Sequence, residues 1–211
     1  MQDVFITHFP NQGYLSTQLS EEQLAPVKKE IQEIQANFDS AIKANNSLAG
    51  NIRQEYRLPK SREYLEKLIF PFLSDYDKHF NYTKYIKILD KDMPMRMNDP
   101  WINFQRKGEF NPIHDHSGVY SWVIWIQVPY TMKDEINAGP GRDSLDPVNG
   151  SFEFQYTTTL GTIQPYKIDA DKTMENTLII FPSRLTHQVY PFYSSDDYRI
   201  SVSGNFVIAT Q

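Results

Sequence analysis

The chain of 211 residues contains no cysteine. That absence excludes disulfides, thiolate nucleophiles and sulfur-rich metal sites, so any transition metal must sit on His, Asp or Glu. An excess of basic charge is also lacking. Twenty-one Lys and Arg stand against 26 Asp and Glu, a formal net charge of −5, and no dense cationic stripe exists to track a phosphate backbone. No nucleic-acid partner is therefore expected. No apolar run reaches the roughly 18 residues of a membrane span, and the N-terminal MQDVFITHFP lacks the basic-then-apolar order of a secretory signal. No membrane partner is expected either, and the location implied is cytoplasmic. The chain has no Gly-x-Ser-x-Gly elbow, and Gly139-Pro-Gly141 lacks the following Lys of a phosphate-cradling loop.

Apolar material is ample. Hydrophobic residues make up 40% of the chain and aromatics 14%, enough for one packed core in a chain too short for two independent ones. The expectation is a single domain over 1–211, with a helical N-terminal part over about 1–80 and a strand-rich core over about 82–208. Leu24, Val27, Ile31, Ile34, Phe38 and Ile42 recur at helical spacing, which predicts a helix within 20–45. Ser20 and Gln23 suggest a capping box at its start, whereas Pro26 argues for a start near Ala25. A second stripe, Tyr64, Leu65, Leu68, Ile69, Phe72, Leu73 and Tyr76, predicts another helix that Pro71 kinks or splits. Beyond residue 82 short runs rich in Tyr, Ile, Val, Phe and Trp predict strands at 84–89, 101–106, 111–116, 119–128, 151–157, 160–165, 176–181, 185–192 and 197–208. Many short strands without intervening helices imply a mainly β fold of antiparallel sandwich or barrel type, such as the jelly roll, or double-stranded β-helix. Lys133 to Asn149 reads as a mobile loop near the site.

Of the five histidines, three fall in the strand-rich half. Residues two apart on a strand face the same way, so His114 and His116 of Asn-Pro-Ile-His-Asp-His share one face and Asp115 takes the other. With His187 from a neighbouring strand they would occupy three adjacent corners of an octahedron, leaving three positions open, an arrangement suited to non-haem iron(II). A surface His-x-His pair and a hydrogen-bonded core His187 would look the same at this level. Twelve residues after His187 stands Arg199-Ile-Ser201. A buried guanidinium demands a partner, its fork matches a carboxylate, and Ser201 faces the same way. Trp101, Tyr120, Trp122 and Trp125 are read as core, with Trp122 and Trp125 on opposite faces.

Trp101-Ile-Asn103, Gly108, His114-x-His116, Ser117-Gly118-Val119-Tyr120, Phe181-Pro182-Ser183, His187 and Arg199-Ile-Ser201 fall in an order that resembles the 2-oxoglutarate/Fe(II) oxygenases of tailed phages and marine bacteria. The match spans about 98–208. The segment Leu48-Ala-Gly-Asn-Ile-Arg-Gln-Glu-Tyr also resembles the phage members, with no chemistry attached to it. The resemblance implies a jelly roll that holds Fe(2+) on His114, His116 and His187, with 2-oxoglutarate as cosubstrate anchored by Arg199 and Ser201 and hydrogen-bonded by Asn103. Decarboxylation to succinate would accompany hydroxylation of a substrate. For a phage-encoded chain the location becomes the host-cell cytoplasm.

The wider superfamily carries a carboxylate where His116 stands. Three neutral imidazoles with a cosubstrate dianion balance iron(II) without one, while a bulge at 114–116 would instead swing Asp115 inward. A cupin-type metal protein or dioxygenase not using 2-oxoglutarate is the alternative, since Gly108 ahead of His114-x-His116 fits half of the cupin pattern. The glutamate expected after the second histidine is absent, and Arg199 would have no task. A small-molecule or protein side-chain substrate is expected, the latter favoured by the lack of a basic patch, and a homodimer is left open.

Overall fold

A computed structural model describes residues 11–86 and 94–209. Its elements run β1 (Leu15–Gln18), α1 (Glu21–Ala36), β2 (Glu55–Arg57), α2 (Arg62–Phe80), α3 (Tyr82–Ile86), β3 (Met95–Met97), β4 (Trp101–Gln105), β5 (Asn111–His114), β6 (Tyr120–Gln127), α4 (Met132–Ile136), β7 (Phe152–Thr157), β8 (Ile163–Ile168), β9 (Thr177–Pro182), β10 (His187–Val189) and β11 (Arg199–Ile208). The strands form two antiparallel sheets. The larger has the order β1-β9-β6-β11-β4-β2, with β3 on the far end of β11, and the smaller has β5-β10-β7-β8.

Helix α1 starts at Glu21 because Ser20 caps it. The Ser20 hydroxyl accepts from the Gln23 amide and Gln23 Oε1 accepts from the Ser20 amide, so two orphan donors are satisfied despite Pro26 further on. The start expected near Ala25 is thus corrected. The helix ends at Ala36, short of residue 45, and Ile42 is exposed rather than part of its apolar stripe. Helix α2 is not split. Pro71 sits on its exposed face, where the carbonyl it leaves unpaired meets water, and the helix runs on to a left-handed Asn81 whose N–H caps Asp77 O.

Both helices lie on the outer face of the larger sheet. Leu24, Val27 and Ile31 of α1 and Leu65, Ile69 and Leu73 of α2 share one core with Ile102, Phe104, Trp122, Ile124 and Val202. A second core between the sheets joins Val123 and Trp125 to Phe152, Phe154 and Phe181. Trp122 and Trp125 therefore belong to different faces, as strand alternation requires.

Several expected strands shift. Residues 84–86 are helical in α3, and 87–89 lie outside the described residues. The strand expected at 160–165 begins at Ile163, because exposed Leu160 and Gly161, at φ +79, form the turn that precedes it. The strand expected at 185–192 keeps only His187–Val189, between a turn closed by Leu185 N–H on Pro182 O and the break at Pro191. The loop Lys133 to Asn149 opens as helix α4 and is tied down. Buried Glu135 accepts from the Tyr193 and Ser194 amides and the Ser194 hydroxyl at 2.7, 2.9 and 2.6 Å. No helix among the described residues is long and apolar enough to cross a membrane.

Candidate metal centre and its cavity

His187 opens β10 directly opposite His114 on β5. Two residues further along β10, Val189 faces Asn111, so three steps on β5 match two on β10. The extra residue is a bulge at Pro112–Ile113, which turns both Asn111 and His114 inward and leaves Ile113 half exposed. His116 lies past the end of β5, where its N–H donates to Ser183 O at 2.9 Å. The bulge thus falls before His114 and not at 114–116. Asp115 points away and pairs with Arg184 at 3.2 Å.

The ligand nitrogens of His114, His116 and His187 all lie within 4.8 Å of one another. His116 Nε2 and His187 Nε2 are 3.2 Å apart. Two nitrogens about 2.1 Å from one metal at a right angle stand about 3.0 Å apart, so the His116–His187 pair is at the spacing of shared coordination. Local carbonyls fix the tautomers. His114 Nδ1 donates to Pro112 O at 2.6 Å and His187 Nδ1 donates to Leu185 O at 2.9 Å, which turns both Nε2 lone pairs to the common point. Burial also keeps the rings neutral, the state a metal needs. His116 is pushed down to about 4 by desolvation and then by His114, and His187 is held well below 6.5 for the same reasons. Phe152 stacks on His187, Phe181 meets its edge and Trp101 flanks His116, so aromatic walls supply that desolvation.

Arg199 is 2% exposed and has no carboxylate within ion-pair distance among the described residues. Its five donors all end on neutral oxygens. Gln105 Oε1 accepts from Nε and Nη2 at 3.1 and 2.8 Å, Tyr130 Oη and Gly150 O accept from Nη1, and Tyr190 O accepts from Nη2. A fork open to a carboxylate was the expectation; here Gln105 closes it. Among the described residues the positive charge nonetheless has no ion-pair partner, a costly state that an incoming carboxylate would relieve. Ser201 lies two residues on. The register Arg199↔Gln105, Ser201↔Asn103 and Glu55↔Asn103 puts Arg199, Ser201, Asn103, Gln105 and Glu55 on the inward face of the larger sheet.

These side chains and the three histidines line one cavity between the sheets, with about 50 Å³ free. Buried Asn103 Oδ1 and Asn111 Oδ1 have no hydrogen-bond partner, and both residues line it. Orphaned polar atoms around a cavity mark a place where a polar ligand supplies the missing bonds. An open groove of about 490 Å³ meets the cavity at Leu48, Ala49, Trp101, His114 and His116. Its walls are polar and include Arg57, Arg96, Asp99 and Asn205. Sequence reasoning missed Gln105, Asn111 and Glu55. The inward parity of β4 from Asn103 would have found Gln105, whereas Asn111 depends on the bulge.

A family model described as "Putative 2OG-Fe(II) oxygenase" matches residues 99–205. No curated protein matches the chain in sequence. Among solved structures, the chain is similar to a Pseudomonas putida prolyl-4-hydroxylase, at 14% identity and TM-score 0.56, with 94% of each chain covered. It is also similar to the non-haem alpha-ketoglutarate-dependent epimerase SnoN from nogalamycin biosynthesis, at 13% identity and TM-score 0.58, covering 94% of this chain and 79% of that one. A Trichoplax adhaerens prolyl hydroxylase, solved with a hypoxia inducible factor peptide, matches at 13% identity and TM-score 0.54, covering 93% and 84%. At these identities the likeness is one of fold.

Proposed function

Because the chain belongs to the 2OG-Fe(II) oxygenase family, we propose that His114, His116 and His187 hold its iron(II), and that Arg199 and Ser201 hold the far carboxylate of its 2-oxoglutarate. The protein is an Fe(II)/2-oxoglutarate-dependent dioxygenase. The two sheets with the metal site between them correspond to the double-stranded β-helix, or jelly roll. The observation that carries the residue assignment is the convergence of three imidazoles, two of them tautomer-locked, and the buried Arg199 guanidinium on a single cavity.

Bound together, iron(II) and 2-oxoglutarate supply the activation of dioxygen, with decarboxylation of the keto acid to succinate. The chain's own residues bind, orient and exclude water. Three neutral imidazoles leave the metal at +2, which a keto-acid dianion balances without a protein carboxylate, so Asp115 is free for Arg184. Gln105 Oε1 occupies both donors along one edge of the Arg199 fork, the position a carboxylate takes bidentately. A cosubstrate carboxylate that takes this edge displaces the Gln105 side chain, exchanging a neutral acceptor for a charged one. We assign the Asn103 carboxamide, on the cavity wall opposite Ser201, to the keto acid, to which its Nδ2 can donate. Phe152, Phe181 and Trp101 keep water from the reacting centre.

The substrate, a small molecule or a protein side chain, enters by the polar groove that reaches His114 and His116. The cupin alternative is set aside, because it leaves the buried Arg199 cation without a task. Succinate release dependent on iron and dioxygen tests the assignment. It should persist in Asp115→Ala and vanish in His187→Ala; loss in Asp115→Ala would place the carboxylate among the ligands instead.

A further inference from the structure

Residues 48–54 form a strap across the cavity. Asn51 N–H donates to Phe110 O at 2.8 Å just before β5, Gln54 O accepts from Phe104 N–H on β4 at 2.9 Å, and Asn45 Nδ2 holds Ile52 O at 2.7 Å. The strap therefore ties one sheet to the other. Leu48, Ala49 and Gly50 form part of the cavity wall, and Leu48 and Ala49 also border the groove.

Behind the strap stands Glu55, 1% exposed. Its Oε2 accepts from Asn45 Nδ2 at 3.1 Å, and among the described residues no Lys, Arg or His lies within ion-pair distance of it. A Cβ built on Gly50 would stand 2.6 Å from Glu55 Oε1 and 2.6 Å from Asn111 Oδ1. Those two oxygens come from different sheets, and they approach the same small space only because residue 50 has no side chain. One nitrogen at about 2.8 Å from each can bridge them. Asn111 Oδ1 is buried and unpartnered, and Glu55 carries the only acidic side chain on the cavity wall among the described residues.

We infer that Glu55 and Asn111, beside Gly50, form a subsite for a protonated amine of the substrate. The inference rests on the iron and 2-oxoglutarate reading of the same cavity. The cosubstrate is not the occupant, since its carboxylates repel Glu55 and have their own cation in Arg199. A hydrogen-bond donor carrying positive charge satisfies both oxygens at once. Burial and the nearby Glu109 push the Glu55 carboxyl up to about 7, the response of an acid placed in a dry site without its counter-ion. Asn111 precedes His114 by three residues on β5, roughly 10 Å of strand at most. A nitrogen anchored there leaves a carbon several bonds away within reach of the metal, which selects substrates whose reacting carbon and amine are separated by a short chain.

The test uses the full chain loaded anaerobically with iron(II) and 2-oxoglutarate, with n-butylammonium, n-butanol and butyrate as probes followed by isothermal titration at pH 8. Wild type should bind butylammonium at least tenfold more tightly than butanol or butyrate. Glu55→Gln should erase that preference while the iron–keto-acid charge-transfer band persists, and Asn111→Ala should weaken it with Glu55 intact. Equal binding of the three probes, or a preference that survives Glu55→Gln, overturns the subsite. A wild-type preference for the amine without any charge-transfer band would support the subsite and defeat the cosubstrate reading, so the two fail separately.

Discussion

Replacing Glu55 by Gln should stabilise the protein at alkaline pH and leave it nearly unchanged at acid pH. Gln is isosteric and keeps an oxygen for Asn45 Nδ2, so the substitution removes the charge and little else. The folded-state carboxyl is raised from its ordinary 4.5 to about 7, by desolvation first and by Glu109 second. A group with a raised folded pKa contributes fully below its unfolded value and loses that contribution as pH rises through the folded one. The loss therefore develops between about pH 4.5 and 7 and then levels off. At 1.36 kcal/mol per pH unit the interval corresponds to roughly 3 kcal/mol, or about 6–12 °C in Tm for a domain of this size. Chemical and thermal denaturation of both proteins with a chelator present, at pH 5 and pH 8, measures it. Parallel curves across that range, or a less stable Glu55→Gln at pH 8, would show that the carboxylate is paired or solvated and that the counter-ion reasoning is wrong.

Other consequences follow from the same geometry. Gln105→Glu places an internal carboxylate against the Arg199 fork and should raise the Kd of 2-oxoglutarate at least tenfold, measured by titration of the charge-transfer band, while iron binding persists. Arg199→Ala should abolish 2-oxoglutarate binding and cost about 2–5 kcal/mol in urea denaturation, since it strands Gln105 Oε1 and Tyr190 O in the interior, while Gly150 O keeps the Tyr130 hydroxyl. Gly50→Ala drives a methyl group to 2.6 Å from Glu55 and Asn111 and should cost about 1–3 kcal/mol by the same assay. Without metal, the depressed imidazoles make the protein lose stability as pH falls below 6.5, and the fall should be shallower in His116→Gln, a comparison that acid titration followed by circular dichroism makes directly.

Much of the candidate site's arrangement was legible because its residues obey strand parity. Arg199 and Ser201 share a face with Asn103, as two-residue spacing requires, and His114 with His116 flank an outward Asp115. His116 nevertheless owes its place to a turn held by Ser183 O, beyond the strand. The long strands β6 and β11 carried strong apolar signals, whereas β1, β2 and β3 have three or four residues each, too few to show a period against their surroundings. Glu55 was invisible for that reason, since nothing local reveals that a three-residue edge strand points it inward. Gln105 was hidden differently. Its role appears only when its Oε1 is seen bridging two donors of a guanidinium 94 residues away in sequence.

Anaerobic addition of iron(II) and then 2-oxoglutarate to the metal-free protein tests the central claim most directly. One iron per chain, followed by a visible metal-to-ligand charge-transfer band that saturates at one 2-oxoglutarate, is expected, with the iron lost in His187→Ala and only the band lost in Arg199→Ala. Iron bound without a band in the wild type, or a band unaffected by either substitution, would contradict the assignment of these residues.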